Sequence, residues 1–172
     1  MRRKITIAIL LIVCFILQTT VFKALAVAKI SPNLMVILTA AFGFMRGRKE
    51  GMFVGFFAGL LIDLFYGNFI GLYALIYMYI GYINGFFNKI FYPEDVKLPM
   101  LLISLSDVVC NFVVYFLFFA LRGNFELPYY FIHIIVPELI YTILVTIVMY
   151  FIILKINKHL EKIEKRSAAK FV

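Results

Sequence analysis

Charge is scarce in this chain. Only 15% of its 172 residues are Asp, Glu, Lys or Arg, and these gather in short clusters between long apolar runs. That distribution excludes a soluble globular domain, whose surface needs far more charge. Cysteine is equally sparse. Cys14 and Cys110 both fall inside apolar runs, which leaves no disulfide framework. With two histidines far apart in the sequence, no metal-ligand spacing exists, so no metal is expected. Neither a phosphate-cradling glycine loop nor a nucleophile elbow occurs, and neither a cofactor nor an enzymatic activity is expected. The net charge of +8 is not spread over a water-facing surface, so it does not point to nucleic acid.

What is present is hydrophobicity. The chain is 65% hydrophobic with a mean hydropathy of +1.02, and several runs approach the ~20 residues that cross a ~30 Å hydrocarbon layer as helix. The fold class is an all-α polytopic membrane protein, with six transmembrane helices expected at about 5–22, 32–45, 51–66, 69–87, 98–121 and 129–154. These make one transmembrane domain, 1–154, followed by a basic amphipathic cytosolic tail, 155–172, with Ile156, Leu160 and Ile163 on its apolar side. Ala26-Val-Ala28 looks like a signal-peptide cleavage site, but the run before it is too long and Lys23 intervenes, so the first helix is expected to be retained. Ser31-Pro32 is a helix start, with Ser31 as N-cap. Gly67-Asn68 is the turn dividing the third helix from the fourth, and Pro137 marks a bend in the sixth. The second helix is short for a span, so the bilayer thins there or 24–30 dips into it. With six crossings and the N-terminus inside, inner segments hold fourteen of the Lys and Arg residues and outer loops hold three. That asymmetry places both termini in the cytoplasm. Tyr66, Tyr129 and Tyr130 are then expected at the outer interface, and Tyr92 and Tyr150 near the inner one.

Nine of the ten glycines lie between Gly43 and Gly85. Gly43, Gly47, Gly51, Gly55 and Gly59 recur every fourth residue, and Asp63 takes the next place. Positions four apart share a helix face, so the series forms a bare, slowly winding groove. In lipid, such a groove lets another helix's backbone approach closely. Gly47, Gly51, Gly55, Gly59, Gly81 and Gly85 are therefore candidates for helix packing or partner contact, with packing inside the same protein favoured. Asp63, Asp107 and Glu138 lie within spans at similar depth, in the middle or outer half. Carboxylates there are costly and read by default as functional. Ser104, Asp107 and Asn111 share a face of the fifth helix, and Asn33 sits at the outer lip of the second. No Lys or Arg within a span pairs with them. Asn33, Asp63, Asp107, Asn111 and Glu138 thus outline an outer polar pocket for a ligand, an ion or another protein's helix; equally, they join helices and cap backbone defects near Gly67 and Pro137. Phe112, Phe116, Phe118 and Phe119 read as lipid-facing surface or core. Arg46, Arg48 and Lys49 form a charged turn on the cytosolic side and are candidates for cytosolic contact. The clustered basic charge also attracts anionic lipid of the inner leaflet.

Taken together, PNLMVILTAAFGFMRGRKEGMFVGFFAGLLIDLFYG, from Pro32 to Gly67, closely resembles the MreD family, the rod shape-determining membrane proteins of bacteria. The Pro-Asn start, the Arg-Gly-Arg-Lys-Glu-Gly turn and the Gly-Phe-x-x-Gly-Leu run with its Asp carry the resemblance. Gly71-Leu-Tyr-Ala-Leu-Ile-Tyr77, Gly81-Tyr82 and Pro137-Glu-Leu-Ile-Tyr141 add to it. The resemblance implies a multi-pass protein of the bacterial cytoplasmic (inner) membrane and a non-enzymatic part of the elongation, or rod, complex. It further implies association with MreC, and through it a link between cytoplasmic MreB filaments and the peptidoglycan transglycosylase and transpeptidase of cell-wall synthesis. The implied fold is a bundle like that of the S-components of energy-coupling-factor vitamin transporters. A substrate-binding S-component is the alternative function, although the Ala-x-x-x-Ala usual on the first helix of those proteins is missing from Ile5–Val21.

Overall fold

A computed structural model describes residues 2–24, 30–67, 70–90, 92, 96–118 and 127–168. The expected connection 24–30, the Asn68 part of the Gly67-Asn68 turn, the loop around Pro93, and the segment 119–126 with Arg122 fall wholly or partly outside the described residues. Among the described residues the regular structure is helical. Helix α1 is Arg2–Ile16 and runs on through a π-helical stretch, Leu17–Val21, to a last turn, Phe22–Ala24. Helices α2 (Leu34–Arg46), α3 (Arg48–Tyr66) and α4 (Leu72–Asn84) follow, α4 being extended by a 3-10 stretch, Gly85–Ile90. Helix α5 is Lys97–Phe118; α6 is Val136–Ala168, entered through Leu127–Tyr130 and a π-helical stretch, Phe131–Ile135. Among the described residues, three stretches are long and apolar enough to cross a membrane: Arg3–Ala24, Lys97–Leu117 and Pro128–Ile163.

The shortness of α2 has a physical reason. Every residue from Leu34 to Met45 is buried, and α1, α3, α4, α5 and α6 all pack against it. A helix surrounded by protein meets no lipid along its length, so the span length that lipid imposes does not apply. Its N-cap is Asn33 and not Ser31: the Asn33 side chain accepts from the Val36 amide at 3.3 Å. The helix ends at Gly47, whose φ of 94° turns the chain within one residue into α3. Beta-carbon-bearing residues avoid that conformation, so the role of Gly47 is the turn, not helix packing. Consequently α3 starts at Arg48, earlier than expected.

Pro137 produces no sharp break. The Val136 amide reaches back to Phe131 O, the wider hydrogen-bond spacing of a π-helical turn, just before the proline. Widening there lets the helix absorb a residue that cannot donate. The helix then continues past Leu154, so the described part of the basic tail, 155–168, is the end of α6. That end is not simply solvated: Asn157 and Leu160 are buried, while Ile156 and Ile163 are only partly so. Tyr150, expected at an interface, is fully buried in the core.

Three contacts bring the helix ends of one side together. Arg3 pairs with Glu50 at 2.7 Å, joining the start of α1 to the start of α3. The Asn88 side chain donates to Phe44 O at 2.9 Å. The Arg46 Nε donates to Asn157 Oδ1, tying α2 to α6, and Asn157 donates in turn to Glu161 at 2.9 Å. The start of α1 and the part of α6 around Asn157 therefore lie on the side of the Arg46–Glu50 turn. Asn157→Leu is expected to lower thermal stability by about 1–3 kcal/mol, because it removes the acceptor of the hydrogen bond from the charged Arg46 Nε. Adding Arg46→Ala should then cost much less than it does alone, and a thermal double-mutant cycle checks this.

Candidate functional site

Helices α3 and α4 meet backbone to backbone. Gly51, Gly55 and Gly59 face Gly81, Tyr77 and Tyr73 of α4, and Gly85 packs against the start of α3 at Arg48. A Cβ built on Gly59 would lie 2.5 Å from Ala74 Cα, and one on Gly51 would lie 2.6 Å from Gly43 Cα. Their nearest neighbours are main-chain atoms, which cannot swing aside as a side chain can. The same face of α3 buries Val54, Ala58 and Ile62. Gly51, Gly55, Gly59, Gly81 and Gly85 are thus brought together in one seam, and that seam is internal to the chain.

Asp63 closes the seam at the opposite end from the charged turn. It is 2% exposed. Its Oδ2 accepts from the amides of Gly71 (3.0 Å) and Ala74 (2.9 Å), and its Oδ1 from the amide of Tyr73 (3.0 Å). These are first-turn donors of α4, which begins after Gly71 (φ 106°) with no side-chain cap of its own. Helix starts leave such amides unsatisfied, and a carboxylate there also meets the positive end of the helix dipole. Asp63 is thus a cap supplied across the seam, separate from the other two carboxylates.

Asp107 and Glu138 do come together, with Asn33 and Asn111. Asp107 is fully buried. Thr142 and Asn33 are turned toward its carboxylate, yet neither oxygen reaches a donor at hydrogen-bonding distance. Glu138 is near enough to interact with Asp107 electrostatically, and Asn111 faces it. Around them, the Tyr77 hydroxyl donates to Asn33 Oδ1 at 3.0 Å and the Asn33 amide donates to Thr142 Oγ1 at 3.3 Å. A cavity of about 440 Å³ opens beside this cluster, lined by Asn33, Tyr77, Asn111, Tyr130 and Glu138 among others. Lys23 also lines it, with its ammonium 5.4 Å from the centre of the Tyr66 ring. The end of α1 therefore supplies a cation that an inventory of the spans misses. Ser104 does not join the cluster; its hydroxyl donates to Met100 O at 2.8 Å.

Several polar groups escaped the sequence. Asn84 donates to Ser106 at 2.7 Å, linking α4 to α5, and Thr146 donates to Thr142 O at 2.6 Å. Tyr73 and Tyr77, or Thr142 and Thr146, spaced four apart within apolar runs, were the available signal. The charged turn divides. Arg46 bonds inward to α6, the Arg48 guanidinium sits 3.8 Å from the Phe86 ring centre, and Lys49 is exposed.

Neither a curated protein nor a solved structure is significantly similar to the chain. A family model described as rod shape-determining protein MreD matches residues 1–160, nearly the whole length. The matched region contains the glycine seam, its Asp63 cap and the polar cluster. The chain belongs to the MreD family of rod shape-determining proteins of the bacterial inner membrane.

Proposed function

We propose that the chain is a non-enzymatic scaffold of the cell-elongation complex. In this reading it crosses the membrane six times with both termini in the cytoplasm, associates with MreC, and with it couples MreB filaments to the peptidoglycan transglycosylase and transpeptidase. The observation that carries the reading is the family match over residues 1–160. Packing is compatible with it. The small-residue face is used inside the bundle, where α3 and α4 pack backbone to backbone, whereas only 17% of the apolar window of α1 is buried. A loosely held first helix leaves a long apolar face for a partner's membrane segment. Co-expression with tagged MreC and purification in mild detergent tests this. The two are expected to elute together in a fixed ratio; a monodisperse chain that elutes without MreC would contradict the proposal.

One observation favours a second reading, a substrate-binding S-component: the roughly 440 Å³ cavity with its buried polar cluster. A vitamin retained through purification at micromolar affinity or better would support that reading over the scaffold.

A further inference from the structure

We propose that the groove between α1 and α3 is a binding site for one anionic phospholipid of the inner leaflet. It encloses about 850 Å³. Its walls are apolar, formed by residues such as Leu11, Ile12, Val54, Phe57 and Leu61, and Arg3, Lys4 and Lys49 gather with Glu50 at one end. Three basic side chains against one carboxylate leave that end positive. Arg3 is already committed to Glu50 at 2.7 Å. Lys4 and Lys49 are both exposed, one from each helix, and suit a phosphate as compact point charges.

Length agrees with charge. On α3 the lining runs from Lys49 to Leu64, ~22 Å at 1.5 Å per residue. On α1 it runs from Arg3 to Ile12, ~14 Å by the same rise. Half of a ~30 Å hydrocarbon layer is ~15 Å. The groove is therefore about one leaflet deep, with its cationic end on the side of the chain's other basic clusters. A headgroup phosphate held by the two lysines would place an acyl chain between the helices.

The walls argue for a lipid over a partner's helix. Close helix docking needs small residues that let backbones approach. Here Phe53, Phe57, Leu60 and Leu64 project from α3, and Phe53, Phe57 and Leu64 are more than half exposed. The glycine face of the same helix points away, into α4. Bulky side chains fit a flexible chain better than a rigid rod.

The test is native mass spectrometry of the purified full chain, in detergent with equal phosphatidylglycerol and phosphatidylcholine. The wild type is expected to retain one phosphatidylglycerol in preference to phosphatidylcholine. Each basic residue near anionic headgroups contributes roughly five-fold, so Lys4→Gln with Lys49→Gln should cut the preference by roughly tenfold or more at unchanged melting temperature. Lys158→Gln with Lys162→Gln removes the same charge from the exposed face of α6 and should leave the preference intact. Soluble glycerol phosphate should not compete, because it lacks the chain that fills the groove. An unchanged preference in the Lys4/Lys49 variant would overturn the proposal. So would an equal loss in the α6 variant, displacement by glycerol phosphate, or a structure with a partner's membrane helix seated in the groove.

Discussion

Gly55→Leu is expected to abolish recovery of folded protein. In the seam, a side chain at this position runs into the main chain of α4 at Tyr77 and into the Thr39 side chain of α2. Even one Cβ there forces the helices apart. Ordinary overpacking costs about 1–3 kcal/mol, because neighbouring side chains shift to relieve it. Here the obstacle is backbone, and relief requires parting α3 from α4 along the seam. Leu75→Phe adds bulk to the exposed side of α4, at a residue 53% exposed, and should be recovered like the wild type. Ala58 would not serve as a neutral comparison on α3, being fully buried on the seam side. Size-exclusion chromatography of detergent extracts checks the contrast. Equal monodisperse recovery of Gly55→Leu and Leu75→Phe would contradict it.

The second large effect is at Asp63. Asp63→Asn preserves the size of the side chain but is not expected to be tolerated. Three amides converge on the two carboxylate oxygens, and the side-chain amide introduced by Asp63→Asn would turn its NH₂ group toward at least one of them. A buried donor left without an acceptor costs about 1–3 kcal/mol, so Asp63→Asn is expected to destabilise the chain about as much as Asp63→Ala. At ~2–4 °C per kcal/mol for a chain of this size, the melting temperature falls by several degrees. Wild-type melting of Asp63→Asn would show that the cap is dispensable.

Periodicity made the seam legible. A four-residue glycine repeat has one geometric meaning on a helix, and both partners of the contact carried it, Gly51, Gly55 and Gly59 on α3 and Gly81 and Gly85 on α4. The helices themselves were legible as apolar runs, three of which are long and apolar enough among the described residues to cross a membrane. What failed was local and three-dimensional. Gly47 fits the repeat yet serves a positive-φ turn, and no spacing rule separates those roles. Asn33 outcompeted Ser31 as N-cap because its side chain is also held by Tyr77, a residue 44 positions away. The centrality of α2 explains its length, but hydropathy registers apolar character without telling lipid from protein as its surroundings. Expected depth alone grouped the three carboxylates Asp63, Asp107 and Glu138 together. Only the fold separates Asp63, aimed at the start of α4, from Asp107 and Glu138, which cluster beside a cavity that Glu138 and Lys23 line. The Arg46–Asn157 contact likewise joins residues 111 apart and recasts part of the basic tail as a packed helix.

The most direct measurement is thermal unfolding of the purified chain by itself, with no partner present, as wild type and as Gly59→Ala. A methyl group there collides with Ala74 Cα of the chain's own α4, so the melting temperature should drop by several degrees. If both proteins melted together, and Gly59→Ala impaired only the recovery of a partner, the glycine face would belong to an intermolecular surface and not to the seam between α3 and α4.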